Sequence, residues 1–241
     1  MAMTALELNA RVAVLERNLF FQNLDIPTLR KIAMKCAPRE YKRNDVIWMQ
    51  GDPSNILAVI RDGYVKIVKH SEGGKDILLE LLGPGDVLGA VVLLEGRPYP
   101  ATALTLDRAL LLELTRDDFL DIIRHNPAVA TQALIATGAR LRRAHEMMRE
   151  LAVERVEARM ANVFLMLASR LAPDSSERVV LRVRLTRRDI AEMVGTALET
   201  TIRVLSRWEK EGIVARERGK IVLIDMPAIR RLAADENPAK L

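Results

Sequence analysis

The spacing of hydrophobic residues changes twice along the chain. Residues 18 to about 36 carry apolar side chains such as Leu29 and Ile32 at helical intervals. From Glu40 to about Leu114, short apolar runs of period two alternate with turn signals rich in Gly and Pro, among them QGDPSN and LGPGD. After Asp117 the pattern becomes helical again. We therefore predict a short helix, then several strands, then a mainly helical region.

The strand-rich region predicts an antiparallel sandwich or roll, because many short strands at regular spacing are typical of those architectures. In YVKIVKH, residues 64–70, the alternation of Val65 and Ile67 with charged residues indicates a strand, with Val68 changing sides. The following SEGGKDILLELL, residues 71–82, is expected to return as its hairpin partner.

A long helix is predicted to begin at Asn126 and Pro127, since proline is tolerated in the first turn of a helix. Its apolar or small positions step by alternating intervals of four and three: Leu134, Gly138, Leu141, His145 and Met148. This is the spacing of a coiled-coil seam, which predicts a homodimer. The alternative is a core helix within one chain.

The C-terminal region reads as helix, strand, helix, helix and hairpin. A helix from about Val153 to Leu171 precedes the polar break APDSSER, and VVLRVRL, residues 179–185, follows as a strand. Two short helices then flank Gly195, and GIVARERGKIVLID, residues 212–225, forms a hairpin. This order is that of a winged helix-turn-helix.

Both short helices are expected to start at a capping box, Thr186 with Asp189 and Thr196 with Glu199. The second helix is amphipathic, and its predicted core-facing residues are Thr201, Val204, Leu205 and Trp208. Its predicted outward-facing residues are Leu198, Glu199, Ile202 and Arg203.

The outward face has two interpretations. Arg203 can donate two hydrogen bonds to guanine, Glu199 can accept one from cytosine, and aliphatic side chains can cover a thymine methyl group. Alternatively, Glu199 only caps its helix and pairs with Arg203 four residues later, while Leu198 and Ile202 pack locally. Spacing alone leaves both open.

Composition narrows the function classes. The net charge of +5 fits a nucleic-acid partner without requiring one. The single cysteine, Cys36, cannot form an internal disulfide or hold an iron–sulfur cluster in one chain, and we expect it to be buried. No signal peptide and no run of about 20 apolar residues is visible, so we expect a cytoplasmic protein without a membrane partner. We find no metal-ligand spacing, nucleophile elbow or P-loop, and expect no enzyme.

The chain resembles the CRP/FNR transcription regulators over nearly its whole length. Residues 46–68 resemble the first strands of the family's roll, residues 82–106 its effector cassette, and the helix from Asn126 its dimerisation helix. Residues 186–214 resemble its DNA-binding motif, whose E-T-x-x-R core is matched by Glu199, Thr200 and Arg203. Leu198 and Ile202 differ from the polar residues common at those positions in the best-known members.

The resemblance implies an α+β chain. Its parts are an antiparallel, cyclic-nucleotide-binding-like β-roll that senses an effector (1–124), a dimerisation helix (125–152) and a C-terminal winged helix-turn-helix DNA-binding domain (153–241). It implies binding of a palindromic DNA operator and, in an activator, contact with RNA polymerase. The expected base-reading residues are Leu198, Glu199, Thr200, Ile202 and Arg203. The candidate phosphate contacts are Thr186, Arg187, Arg188, Arg216, Arg218 and Lys220.

The effector is expected to differ from a cyclic nucleotide. In the family's nucleotide pattern a Glu follows the cassette glycine and an Arg-Ser pair holds the phosphate. Here Ala90 follows Gly89, Tyr99 and Pro100 replace the pair, and Arg97 lies two positions away. A buried phosphate requires a cation and hydrogen-bond donors, whereas this cassette is mostly apolar, with Tyr99 as its polar handle.

Two effector classes therefore remain, a haem-bound gas and a small apolar molecule. The resemblance places Ala144 and His145 towards the effector, so His145 is the candidate haem ligand, with Met147, Met148 and His70 as weaker ones. Alternatively, His145 hydrogen-bonds across the dimer. The expected pocket consists of Gly89, Ala90, Val91, Leu93, Leu94, Arg97, Tyr99, Ala101, Leu141, Ala144, His145 and Met148. A cyclic-nucleotide regulator and a ligand-binding module that does not read DNA are the alternative functions.

Overall fold

The computed structural model of the chain describes residues 3–70, 76–153, 155–171 and 178–234. It divides into two compact units. The first contains Met1–Glu72 and Glu80–Arg142, and the second contains Gly73–Leu79 and Arg143–Leu241.

Two helices precede the first sheet. Helix α1, Ala5–Glu16, begins at a capping box of Thr4 and Glu7 and was not predicted. Helix α2, Ile26–Lys35, covers only the second half of the predicted 18–36 segment. It starts late because the side chain of Asp25 caps it and Pro27 is tolerated only in its first turn.

The predicted roll is confirmed as two four-stranded antiparallel sheets. Their orders are β1-β8-β3-β6 and β2-β7-β4-β5. The strands are β1 Ala37–Tyr41, β2 Val46–Trp48, β3 Ile56–Asp62, β4 Val65–His70, β5 Asp76–Leu82, β6 Val87–Leu88, β7 Thr102–Thr105 and β8 Ala109–Thr115. The predicted partners β4 and β5 are neighbours. Short helix α3, Ala90–Glu95, lies between β6 and β7.

Two apolar clusters hold the roll together. One joins α1 and α2 to the first sheet and to α4, Arg116–His125, through buried side chains such as Phe21, Leu93 and Phe119. The other contains Trp48, Leu88 and Tyr99 beside the inner faces of the strands. The second cluster borders the cavity described below.

Helix α5, Pro127–Val153, begins where the sequence predicts. Its seam residues lie open in the single chain, with Leu134 73 %, Leu141 57 % and Met148 58 % exposed. Such a row of exposed large apolar side chains is unfavourable in water unless something covers it.

The second unit has the predicted winged helix-turn-helix order. Its elements are α6 Val156–Leu171, β9 Val179–Val180, α7 Arg187–Val194, α8 Leu198–Lys210, β10 Val214–Glu217, β11 Lys220–Leu223 and α9 Met226–Ala234. The strand predicted for residues 179–185 is much shorter than expected. Its partner β11 begins just after the turn at Gly219. Beyond the hydrogen bond from Leu181 N to Ile221 O, the predicted strand therefore has no residues of β11 to pair with.

Candidate nucleic-acid interface and β-roll cavity

The turn between α7 and α8 forms as the sequence predicts. Thr186 and Asp189 make the capping box, with 3.0 Å from Asp189 N to Thr186 Oγ1 and 2.9 Å from Thr186 N to Asp189 Oδ2. Gly195 closes α7 in the left-handed conformation at φ 66°, which glycine adopts at low cost. The next helix therefore leaves this turn with a fixed direction.

The capping box predicted at Thr196 and Glu199 is wrong. The N-cap of α8 is Ala197, whose side chain makes no cap hydrogen bond. The helix starts one residue later than predicted because Thr196 N bonds Ala191 O in the turn. Glu199 is consequently the second helical residue rather than the third, and the reciprocal geometry of a capping box is lost.

One face of α8 anchors the helix. Thr201, Val204, Leu205 and Trp208 are buried, as predicted. The ring of Trp208 meets that of Phe164 on α6 edge to face, with centroids 5.9 Å apart. Burial of these side chains fixes which residues the other face presents.

The opposite face of α8 is open. Leu198 is 40 % and Ile202 38 % exposed, and Glu199 and Arg203 lie exposed beside them. In the part of the chain that the structure describes, neither charged side chain makes a hydrogen bond or ion pair. The i,i+4 pair considered as an alternative does not form there.

Some of the candidate phosphate contacts already form ion pairs or hydrogen bonds within the chain, and others do not. Arg188 pairs with Glu192 at 3.1 Å and Arg216 with Glu209 at 3.8 Å. The hydroxyl of Thr186 serves the α7 cap. Three exposed or half-buried residues, Arg187, Arg218 and Lys220, have no ion pair among the described residues.

The roll contains a cavity of about 150 Å³ that is open to the surface. Five residues of the predicted pocket line it: Gly89, Ala90, Val91, Tyr99 and Ala101. The remaining lining residues are Trp48, Ile67, Glu80, Leu82, Leu88, Val92, Pro100 and Arg140. Most of the surface offered to a ligand is therefore apolar.

An aromatic pair forms one wall of this cavity. Trp48 and Tyr99 stack with centroids 4.1 Å apart and planes 8° from parallel. The hydroxyl of Tyr99 donates to Ile56 O at 2.8 Å and accepts from Ile56 N at 3.1 Å. Burial raises the pKa of Tyr99. The predicted polar handle is thus held by the main chain.

A charged pair lies at the same cavity. Arg140 on α5 approaches Glu80 on β5 at 3.0 Å from Nε to Oε1 and donates to Val87 O at 2.8 Å. Neither residue was predicted from the sequence, because both lie outside the cassette segment, residues 82–106. Among the described residues that line the cavity, Arg140 is the only cation, and the carboxylate of Glu80 neutralises it.

Several predicted pocket residues lie elsewhere in the first unit. Leu93 points into the hydrophobic core with Phe119, Leu94 and Arg97 are exposed, and Leu141 is exposed on α5. A six-residue helix turns only part of its residues towards one side, so α3 gives Ala90 and Val91 to the cavity and Leu93 to the core. Ala144, His145 and Met148 are exposed members of the second unit, and their role at the effector site stays a prediction.

Cys36 is buried, as expected, and burial raises its pKa to about 12. No group of three or more His, Cys, Asp or Glu residues suited to a metal ion occurs among the residues described. Within the same residues, no helix has the length and apolar character needed to cross a membrane.

Known families match both units. The family described as "Cyclic nucleotide-binding domain" matches residues 38–126, and "Crp-like helix-turn-helix domain" matches residues 158–232. The CRP-like cAMP-activated global transcriptional regulator of Mycobacterium tuberculosis is 26 % identical over 91 % of this chain and 98 % of its own. The cyclic AMP receptor protein of Thermus thermophilus is 30 % identical over 81 % of this chain and 87 % of its own.

A solved structure supports the same fold. FixK2 from Bradyrhizobium japonicum superimposes with a TM-score of 0.72 at 24 % identity, covering 84 % of this chain and 99 % of that one. The two family matches together span well over half of the chain, and the relatives align along most of its length. The chain therefore belongs to the CRP/FNR family of DNA-binding transcription regulators.

Proposed function

We propose that this regulator is a homodimer that reads a two-fold DNA site through α8 and responds to a small, largely apolar effector held in the β-roll cavity. The observation that carries the DNA part is the open face of α8. There Glu199 and Arg203 are exposed without partners among the described residues, beside Leu198 and Ile202.

The chemistry of that face suits base reading. An unpaired guanidinium at Arg203 is ready to bind guanine O6 and N7, and the carboxylate of Glu199 is ready to accept from cytosine N4. Leu198 and Ile202 supply apolar contact for thymine methyl groups, and Thr200 lies at the edge of the same face. The residues lie in the N-terminal half of the helix, the end with which recognition helices contact bases.

Phosphate contacts fix the register of such a helix. Arg187 on α7 and Arg218 and Lys220 on the wing are unpaired among the described residues and are the best placed for this role. Arg188 and Arg216 would first have to leave Glu192 and Glu209.

The dimer is supported by the exposed seam of α5. Two copies of α8 can then meet half-sites about 34–36 Å apart. Leu141→Glu places like charges on the seam and should yield a monomer in analytical ultracentrifugation. Leu6→Glu, which changes an exposed leucine on α1, is the control. A Leu141→Glu protein that still sediments as a dimer contradicts this part. RNA polymerase is the expected further partner of an activator.

A neutral effector follows from the charges at the cavity. A phosphate there would meet the guanidinium of Arg140 together with the carboxylate of Glu80, 3.0 Å away, so its attraction to the cation is offset. The relatives named above are called cAMP-activated or cyclic AMP receptors, which keeps the cyclic nucleotide as the alternative. In calorimetry, cyclic AMP and cyclic GMP should give no saturable heat at micromolar concentration.

A haem-bound gas is the second candidate, supported by the exposed His145, whose imidazole has no hydrogen bond among the described residues. The cavity itself does not fit a porphyrin. Its volume of about 150 Å³ is below the roughly 300–1,000 Å³ of pockets for drug-sized ligands. Haem titration of the wild type and of His145→Ala decides this, since ligation requires a Soret band that the substitution shifts.

The experiment that tests the function as a whole is a gel shift of the purified protein with fragmented genomic DNA, repeated with small-molecule pools. We expect retention of a small set of fragments and a change in their affinity with one pool. Equal retention of all fragments contradicts sequence-specific regulation.

A further inference from the structure

We propose that a cleft between the start of α6 and α8 holds a phosphate of the bound DNA backbone, with Arg155 as its principal cation. This α6–α8 cleft has a volume of about 160 Å³ and is lined by Arg155, Glu157, Thr200 and Arg203, together with apolar side chains such as Val204 and Leu232. The inference rests on the DNA-binding function of α8. It adds a contact on a different element from the candidate contacts of α7 and the wing.

The charges of the α6–α8 cleft favour an anion. Arg155 is exposed, and neither it nor Arg203 has a hydrogen-bonded or ionic side-chain partner among the residues described. The single carboxylate of the lining, Glu157, forms an ion pair with Arg207 on α8. Two unneutralised guanidinium groups facing one cleft repel each other, and an anion between them removes that repulsion.

The position of the cleft fits a DNA backbone rather than a base. A helix lying in the major groove, which is about 12 Å wide, has a phosphate strand along each flank. Arg187 and the wing residue Arg218 are candidates elsewhere on the second unit, whereas Arg155 lies beside the α8 flank formed by Thr200 and Arg203. Phosphate oxygens accept hydrogen bonds from guanidinium and hydroxyl groups, which Arg155, Arg203 and Thr200 supply in this cleft.

This assignment separates the roles of two neighbouring arginines. Arg203 also belongs to the open face of α8 and reads bases, so its removal changes sequence preference. Arg155 precedes the first residue of α6 and lies off that face, so its removal weakens binding to every DNA sequence alike. Thr200, half-buried on the flank, supplies a hydroxyl donor to the same phosphate.

The test compares Arg155→Gln with Arg230→Gln, a matched loss of one exposed charge on α9 of the same unit. Affinity for an operator and for random DNA is measured from about 50 to 200 mM salt. Arg155→Gln should weaken both by the same factor and reduce the slope of log affinity against log salt by about 0.9 for each half-site. Arg230→Gln should leave the slope close to that of the wild type, and Arg155→Lys should restore it.

A second arm locates the phosphate. Operators with a single methylphosphonate linkage are scanned across one half-site. One neutral linkage should weaken binding of the wild type and have no further effect on Arg155→Gln. Thermal melting of each variant checks that it is folded.

Two results overturn the inference. One is an Arg155→Gln slope equal to that of Arg230→Gln, and the other is a loss confined to the operator. Failure of the wild type to bind any DNA would instead reject the proposed function.

Discussion

The chain's two tryptophans mark two regions that are built in different ways. Trp208 lies on the buried face of α8, where it meets Phe164. Trp48 lines the β-roll cavity, where it stacks on Tyr99 and donates from Nε1 to Ala101 O at 3.1 Å. The α8 face is a property of thirteen consecutive residues, whereas the cavity is assembled from strands and helices far apart in the sequence. Local periodicity therefore describes the first region well and the second poorly.

The largest effect on stability is expected from a substitution on the buried side of α8. Trp208→Ala removes a fully buried ring and should lower the free energy of unfolding of the second unit by about 3–5 kcal/mol. Urea denaturation followed by circular dichroism measures this, with fluorescence of Trp48 reporting the roll. If the transition of the Trp48 fluorescence shifts as far as that of the circular dichroism signal, the roll and the second unit do not unfold independently.

Substitutions on the exposed side of the same helix should change DNA affinity rather than stability. Arg203→Ala should lose about 1–3 kcal/mol of operator affinity and little affinity for random DNA. Lys210→Ala, at the far end of α8, is the control and should weaken binding to both DNAs slightly and equally. Fluorescence anisotropy titrations provide both affinities. An equal loss of affinity for both DNAs in Arg203→Ala would mean that Arg203 contacts a phosphate or has a structural role.

The stability of the first unit should depend on pH through Cys36, the one cysteine of the sequence. The pKa of Cys36 is raised to about 12 in the folded state, against about 8.5 unfolded, so the unfolded chain releases this proton first as the pH rises. Stability from the neutral thiol is complete below pH about 8.5 and falls above it, by at most about 1.4 kcal/mol per pH unit. Denaturant unfolding of the wild type and Cys36→Ala at pH 8 and 9.5 measures this, and identical pH dependence contradicts it.

The smallest effect on stability is expected at the cavity's charged pair. Glu80→Gln leaves the partly exposed Arg140 without its ion pair and should cost about 0–1 kcal/mol. It should also make the cavity attractive to anions, so cyclic AMP should bind the variant more tightly than the wild type. Calorimetry tests this with Glu40→Gln, which loses an exposed pair to Arg108, as the control.

The same contrast explains what the sequence could predict. The strands β4 and β5, the start of α5 and the buried face of α8 follow from periodicity and turn residues, and the structure confirms them. The meeting of Glu80 with Arg140 carries no local signal. Helix α9 was not predicted, although the side chain of Asp225 caps it and Pro227 lies in its first turn, as Asp25 and Pro27 do for α2. The false capping box at Thr196 arose because residue spacing cannot distinguish a start at Ala197 from one a residue earlier. At the cavity, contacts between residues far apart in the sequence determine which cassette residues line the wall and which, like Leu93, lie in the core.

The open face of α8 is proposed to read DNA bases. The most direct measurement is selection of bound sequences from a random duplex library by the wild type and by Arg203→Ala. We expect the wild type to enrich two-fold related half-sites about one helical turn apart. Arg203→Ala should retain this spacing and lose the preference at one base pair of each half-site. An unchanged preference at every position of the half-site would mean that Arg203 does not read a base.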